Sequence, residues 1–452
     1  MSKKILVLGI VLVMTFTMVL SGCSSKVTKK DDASKTNSTV SEGESNKKKT
    51  VELRLLSRFS GAEALAPIWQ DAQTEFMEKH PNVKFVDESV SDQSAYDSKF
   101  KTGLATGDLP AVFRVAGTLV QAEYAKSGLL HDFSQDIADD TEWSKELNQG
   151  ALNEAKFDSF GIKGVYALPV SSQVEVMFYN TELFKKAGIE KAPETYEELL
   201  TAIDKLKAAG ITPWGVGGKS NWQVGHIFNV LLYKNLGVEA AKDLGFNRNK
   251  KWTDPEVIEV LAEMKRLADS DVFTPNLAGV QYETVKQDFI DGKTAMIFNG
   301  TWFVKEAEGS AIADKIQTFL FPSIESKPEF NNHNILFPNN LCVNGNLTEE
   351  ETKYAVEFLK LFTSKQYQER VIYEAQQLPV RNDIDVDATK MGPLSKQIYE
   401  YTPLIGVAGS DTFNYDPLVS MKDRTRNSLV GLLLEYTPEE AAKEIQNEVD
   451  SQ

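Results

Sequence analysis

The chain has 452 residues, and its 65 acidic side chains outnumber 49 basic ones to leave a formal net charge of -16, which excludes the electrostatic footprint of a nucleic-acid binder. Hydrophobic residues, at 42%, are ordinary for a folded body, and after residue 20 no apolar run is long enough to cross a bilayer. About 400 residues follow the N-terminal region, too many for one compact core, so two domains are expected.

Lys3 and Lys4 precede a nearly wholly apolar stretch over residues 5–20, followed by Leu20, Ser21, Gly22 and Cys23. A basic start, a short apolar stretch and small residues at a cut point mark a secretory signal over residues 1–22; a transmembrane anchor fits less well, because the span is short. The cut point resembles the bacterial lipobox, which implies that Cys23 becomes a diacylated first residue and ties the protein to the extracellular face of the membrane. Residues 24–50 hold scarcely an apolar side chain, so residues 23–50 read as a lipidated cysteine and flexible tether. Once Cys23 is lipidated, Cys342 has no internal partner, and its apolar neighbours Leu341 and Val343 make it a small buried hydrophobe.

Residues 51–56 open the body as a strand. Residues 62–79 carry helical spacing in Leu65, Ile68, Trp69, Ala72 and Phe76 and stop at His80-Pro81. A strand at 83–86, a helix at 96–105 closed by Gly107 and a strand at 111–115 follow. This alternation indicates an α/β fold, doubly wound around a mainly parallel sheet. The second half repeats the grammar. Capping boxes are expected at Thr195 with Glu198, Thr253 with Glu256, Thr348 with Glu351 and Thr437 with Glu440, with Pro438 strengthening the last.

Several segments then carry a resemblance. Gly164-Val165-Tyr166-Ala167-Leu168-Pro169 precedes Val176-Met177-Phe178-Tyr179-Asn180-Thr181-Glu182-Leu183-Phe184-Lys185-Lys186-Ala187-Gly188-Ile189 and Pro193-Glu194-Thr195-Tyr196-Glu197-Glu198-Leu199. Thr106-Gly107-Asp108-Leu109-Pro110 and the run from Phe289 through Asn299, Gly300 and Thr301 to Trp302 fit in the same order. From about residue 51 onward the chain resembles the family 1 extracellular solute-binding proteins of ABC sugar importers, the maltose-binding-protein-like group. It departs at Tyr196, usually Trp, and at Ala111, commonly Asp. The resemblance implies two doubly wound α/β lobes joined by crossing hinge segments: lobe I over 51–172, lobe II over 173–333, a return to lobe I over 334–362, and the rest of lobe II over 363–452. The crossings are expected near 170–174, 334 and 362. It further implies a monomer that holds a carbohydrate, chiefly an oligosaccharide, between its lobes and delivers it to ABC permease subunits, with no catalysis, cofactor or metal.

A sugar site needs aromatic platforms and rigidly held planar polar groups. Trp302 follows Asn299 and Gly300 directly after an expected strand and aligns with a family tryptophan that stacks on ligand; core packing is the alternative. Trp222, in the glycine-rich stretch 217–223, fits a cleft or a helix start equally. Arg58 and Phe59 follow the first strand and Arg114 ends the third, where open α/β sheets bind ligands; an internal ion pair would equally explain Arg114. Gln173 lies in the first crossover, and Asn339 and Asn340 in the returning one. Gln376 and Gln377 face the hinge or sit in a loop. Trp69, Trp214 and Trp252 belong to the core, and Trp143 to the surface or half-buried shell.

Other chemistries are weak. His80, His131, His226 and His333 are too scattered for zinc. Asp383, Asp385 and Asp387 begin like a calcium loop, but Ala388 and Leu394 break the EF-hand pattern, leaving only calcium in another geometry. Gly218-Lys219-Ser220 lacks the first glycine of a phosphate loop, with Pro213 in its place. No Gly-x-Ser-x-Gly elbow occurs, and nothing singles out a glycosidase acid pair. A surface glycan hydrolase and a sensor feeding a signalling receptor stand as the alternatives to a transport protein.

Overall fold

A computed structural model describes residues 49–451 other than 116, 117, 417 and 418; the signal segment, Cys23 and the tether up to residue 48 lie outside the described residues. The strands are β1 (Val51–Leu56), β2 (Val83–Asp87), β3 (Val112–Arg114), β4 (Lys156–Phe157), β5 (Ile162–Val165), β6 (Leu168–Asn180), β7 (Thr212–Gly215), β8 (Thr294–Gly300), β9 (Ile316–Phe319), β10 (His333–Val343) and β11 (Val407–Gly409). Nine of them hydrogen-bond in one sheet of order β2-β1-β3-β10-β6-β8-β7, with β9 on β6 and β11 on β10; β4 and β5 pair separately. As the alternation of apolar strands and helices predicts, β1 runs parallel to both β2 and β3.

Two long strands serve both halves. In β6, residues up to Val174 pair with β10, while Glu175 to Asn180 pair with β8 and β9. In β10, residues 333–335 pair with β11, residues 336–341 with β6 and residues 341–343 with β3. All thirteen residues of β6 are buried, as expected of a strand covered on both faces. A third segment crosses at Leu378, whose carbonyl accepts from Ser172 N at 2.8 Å.

Two large apolar cores flank these crossings. Trp69 centres the first, edge-on to Phe59, Phe358 and Phe362, with its indole N–H donating to Asp87 Oδ2 at 3.0 Å. Trp214 and Trp252 lie in the second core. Cys342 is fully buried in the first, where burial pushes its thiol up to about 12. Trp143 differs from the expected half-exposed position: it is buried, and its indole donates to Thr363 Oγ1 at 3.0 Å. The expected boundary at 362 falls inside a packed unit. Phe362, Tyr367, Val371 and Ala375 all join the first core, and Gln368 donates to Val170 O at 3.0 Å, so the chain stays with the first half until the crossing at Leu378.

The capping boxes form at Thr195, Thr348 and Thr437. The one expected at Thr253 does not. Pro255 starts that helix, Asp254 takes the cap position, and Glu256 instead bonds Lys250 at 2.7 Å.

Candidate functional site

β8 ends at Gly300, and the chain turns at once through Thr301–Phe303. The Trp302 ring folds back over Gly300 so closely that a Cβ there would lie 2.0 Å from its Cζ3, so only glycine leaves room for this indole. Tyr282 opens the helix Tyr282–Ile290, and Trp222 opens the helix Trp222–Leu236. Trp222 stands edge-on to Tyr282 at 4.8 Å and to Trp302 at 6.0 Å; Phe337 of β10 lies 6.4 Å from Trp302. All four rings are half-buried, so each keeps some surface open. The Tyr282 hydroxyl accepts from Trp302 Nε1 at 3.0 Å and donates to Asn299 Oδ1 at 3.1 Å, while burial raises its pKa above the usual phenol range and keeps it neutral. The result is a rigid aromatic corner.

Beneath it lies a tie between crossings. Gln173 donates to Gln377 Oε1 at 2.8 Å and accepts from Thr301 Oγ1 at 2.8 Å, joining the first crossing strand, the third crossing and the turn that carries Trp302. Gln376, beside it, takes a left-handed φ of 57° and bonds Glu308. Gln173 is thus a buried positioning group, and so is Asn299, whose amide is turned to Tyr282. Asn340 is buried as well. Phe59 departs from its expected place at the ligand: it is 1% exposed and packed on Trp69 and Phe362, which leaves no ring face open.

Arg58 and Arg114 come from the first half. They follow a paired register, Leu56 with Phe113, at the C-terminal ends of β1 and β3. Arg58 donates to Ser91 O at 2.6 Å and Gln93 Oε1 at 2.8 Å. Arg114 donates through Nε to Asn339 Oδ1 at 3.0 Å. Asn339 and Phe337 are two residues apart on β10, hence on one face, which links Arg114 to the aromatic corner. Glu63, half-buried and bonded to Leu65 N at 2.8 Å, has its pKa raised by burial against the opposing pull of Arg58, Arg114 and Lys305. Lys422, on the second half, bonds Asn414 at 2.9 Å and is lowered to about 8 by burial and by Arg426 and Arg114. Glu63, Tyr282, Phe337 and Lys422 carry no local sequence mark that sets them apart.

Behind Trp222 lies a buried ion network. The His226 ring, 5.1 Å from Trp222, has Glu175 Oε1 2.6 Å from Nδ1 and Asp411 Oδ2 3.7 Å from Nε2; Asp411 also pairs with Arg426 and accepts from Asn229 at 2.9 Å. Burial acts to lower the His226 pKa, but the two carboxylates outweigh it and raise the pKa to about 9. An imidazole held protonated at neutral pH is a poor general base and a good internal brace. Two aspartates of the segment that begins like a calcium loop are engaged within the protein: Asp383 pairs with Arg381 at 2.7 Å, and Asp387 caps Thr389 N at 3.0 Å.

Comparison with known proteins agrees with this geometry. The family described as bacterial extracellular solute-binding protein matches residues 60–369. The multiple sugar-binding protein of Streptococcus mutans is 25% identical over 253 residues, covering 55% of this chain and 57% of its own length, so this chain spans little more than half of that relative. The diacetylchitobiose binding protein of Streptomyces coelicolor is 28% identical over 318 residues, 66% of this chain and 67% of its own. The solved structure of a chitin oligosaccharide binding protein superposes with a TM-score of 0.81 at 27% identity, over 89% of this chain and 98% of that one. With that family matched over the greater part of its length and two α/β halves joined by crossing strands, the chain belongs to the bacterial extracellular solute-binding proteins.

Proposed function

We propose that the protein captures an oligosaccharide between its two lobes and presents the closed form to the membrane subunits of an ABC importer, without altering the sugar. The observation that carries this reading is the half-open aromatic corner of Trp222, Tyr282, Trp302 and Phe337, joined through crossing strand β10 to the polar side chains of Asn339 and Arg114. Such a corner suits the C–H faces of sugar rings, and the adjoining polar side chains suit their hydroxyls. The sugar-binding names of its relatives support the same reading.

In this proposal lobe I comprises residues 51–172 with 338–377, and lobe II comprises residues 175–335 with 379–450. The lobes close by bending at the three crossings. Cys23 carries the lipid, the tether lifts a monomeric body off the extracellular face of the membrane, and no cofactor is needed. Calorimetric titration with oligosaccharide panels, coupled to chromatography of the recovered sugar, tests it. Saturable binding with the sugar recovered intact is expected, and shortened sugar would reassign the protein to hydrolysis. Detergent-phase partitioning that survives Cys23→Ser would remove the anchor.

A further inference from the structure

Arginine pairing is uneven across the body. Every arginine among the described residues except two forms an ion pair with a carboxylate, from exposed Arg424 on Glu448 to buried Arg426 on Asp411. Arg54, on the strand that leads to Arg58, has two such partners, Glu88 at 2.6 Å and Asp108 at 2.5 Å. The exceptions are neighbours. Arg58 and Arg114 stand side by side after the paired ends of β1 and β3. Arg58 is oriented only by neutral acceptors, Ser91 O and Gln93 Oε1. Arg114 uses Nε on Asn339, and its two terminal nitrogens make no hydrogen bond among the described residues.

This happens in a chain with sixteen more acids than bases, 65 against 49, where carboxylate partners are abundant. Leaving guanidinium charge uncompensated in a partly buried wall is unfavourable unless something else supplies the anion. The carboxylates that act on Arg114 from nearby are Asp97 and Glu63, and neither forms an ion pair with it: Asp97 accepts from Gln93 Nε2 at 2.8 Å, and Glu63 is bonded to Leu65 N and biased by burial toward its neutral form. Lys305 and Lys422 add positive charge from the other half. A guanidinium with both terminal nitrogens free presents a fork that matches two oxygens of one anion.

We propose that the saccharide carries an oxyanion, a uronate carboxylate or a sulfate ester, which seats on the Arg114 fork beside Arg58 while a sugar ring lies on Trp302. This deepens the oligosaccharide-binding reading and rests on it. Asn339 turns the fork, and its place two residues from Phe337 sets the anion within one or two sugar units of the aromatic corner.

The test is calorimetric titration of the full chain in mild detergent with two matched pairs: trigalacturonate against its methyl ester, and an N-acetylglucosamine oligomer with and without a 6-sulfate. The acidic member of one pair is expected to bind at least about tenfold tighter than its neutral partner, with that preference shrinking in Arg114→Gln and weakening with added salt. Which pair shows it identifies the source of the anion. Neutral members binding as tightly as acidic ones, or a preference untouched in a folded Arg114→Gln, would overturn the inference and leave the transport reading intact. Binding of no saccharide at all overturns both. The wild-type comparison decides even where the variant fails to fold.

Discussion

Trp302 Nε1 donates to the Tyr282 hydroxyl at 3.0 Å, and the same hydroxyl reaches Asn299, three residues before Trp302 in the chain. The indole is thereby locked from two sides of one turn, so its face is set before ligand arrives. Trp302→Ala is expected to weaken oligosaccharide binding at least about tenfold, by loss of a stacked platform. Tyr282→Phe keeps the ring and loses only the lock, for an expected loss of about fivefold, the worth of one ordinary hydrogen bond. Calorimetry on both variants checks this; equal losses would mean that the hydroxyl itself contacts ligand.

Gly300 offers a second route to the same indole. A methyl group at this position would overlap the Trp302 ring, while the backbone φ of -102° is open to any residue. Gly300→Ala should therefore fold, shift the near-ultraviolet circular dichroism of tryptophan, and weaken binding about as much as Trp302→Ala. Wild-type affinity in this variant would show that the ring's present position is not the one ligand uses.

The Glu175–His226 contact makes stability depend on pH. With a folded pKa of about 9 against an ordinary value of 6.5, His226 contributes roughly 3 kcal/mol that is fully present below pH 6.5 and lost as pH rises through 9. Glu175→Gln removes the main attractive charge and should flatten that loss. Urea unfolding of both proteins between pH 6.5 and 9 measures it, because other titrating groups cancel in the comparison. Parallel profiles would remove Glu175 from the account.

Lys234 behaves in the opposite sense. It is 2% exposed, with its ammonium on Asn331 O at 2.8 Å, and burial lowers its pKa to about 8 from 10.5. The charged form is thus disfavoured by roughly 3 kcal/mol at pH 7, and stability rises as pH climbs from 8 to 10.5. Lys234→Met should raise the melting temperature at pH 7 and hold less advantage at pH 10. A variant no more stable at pH 7 would show that the Asn331 bond outweighs the cost of burial.

The run from β1 to β3 is legible in the sequence because each strand and helix there buries its own periodic face. The caps at Thr195, Thr348 and Thr437 are legible because capping is a local bond. Where local signals compete, the reading slips: Pro255 overrides Thr253. Phe59 follows a strand end like a ligand contact, yet its burial is decided by Phe362, far along the chain. Trp143 is buried by Thr363 in the same way. Trp302 and Trp222 stand out by residue type and turn chemistry, whereas Tyr282 gains its role only when its helix start packs against the turn after β8. Side chains whose partners lie hundreds of residues away leave no mark in their own neighbourhood.

The shared strands have one more consequence. β6 and β10 each give part of their length to one apolar core and part to the other. Loosening either half would strip ladder bonds from strands the other half needs, and expose raw sheet edges at β3 and β8. The two halves therefore melt together. A single cooperative heat-absorption peak is expected in place of two, and a chain cut short before β10 should yield no stable half-molecule.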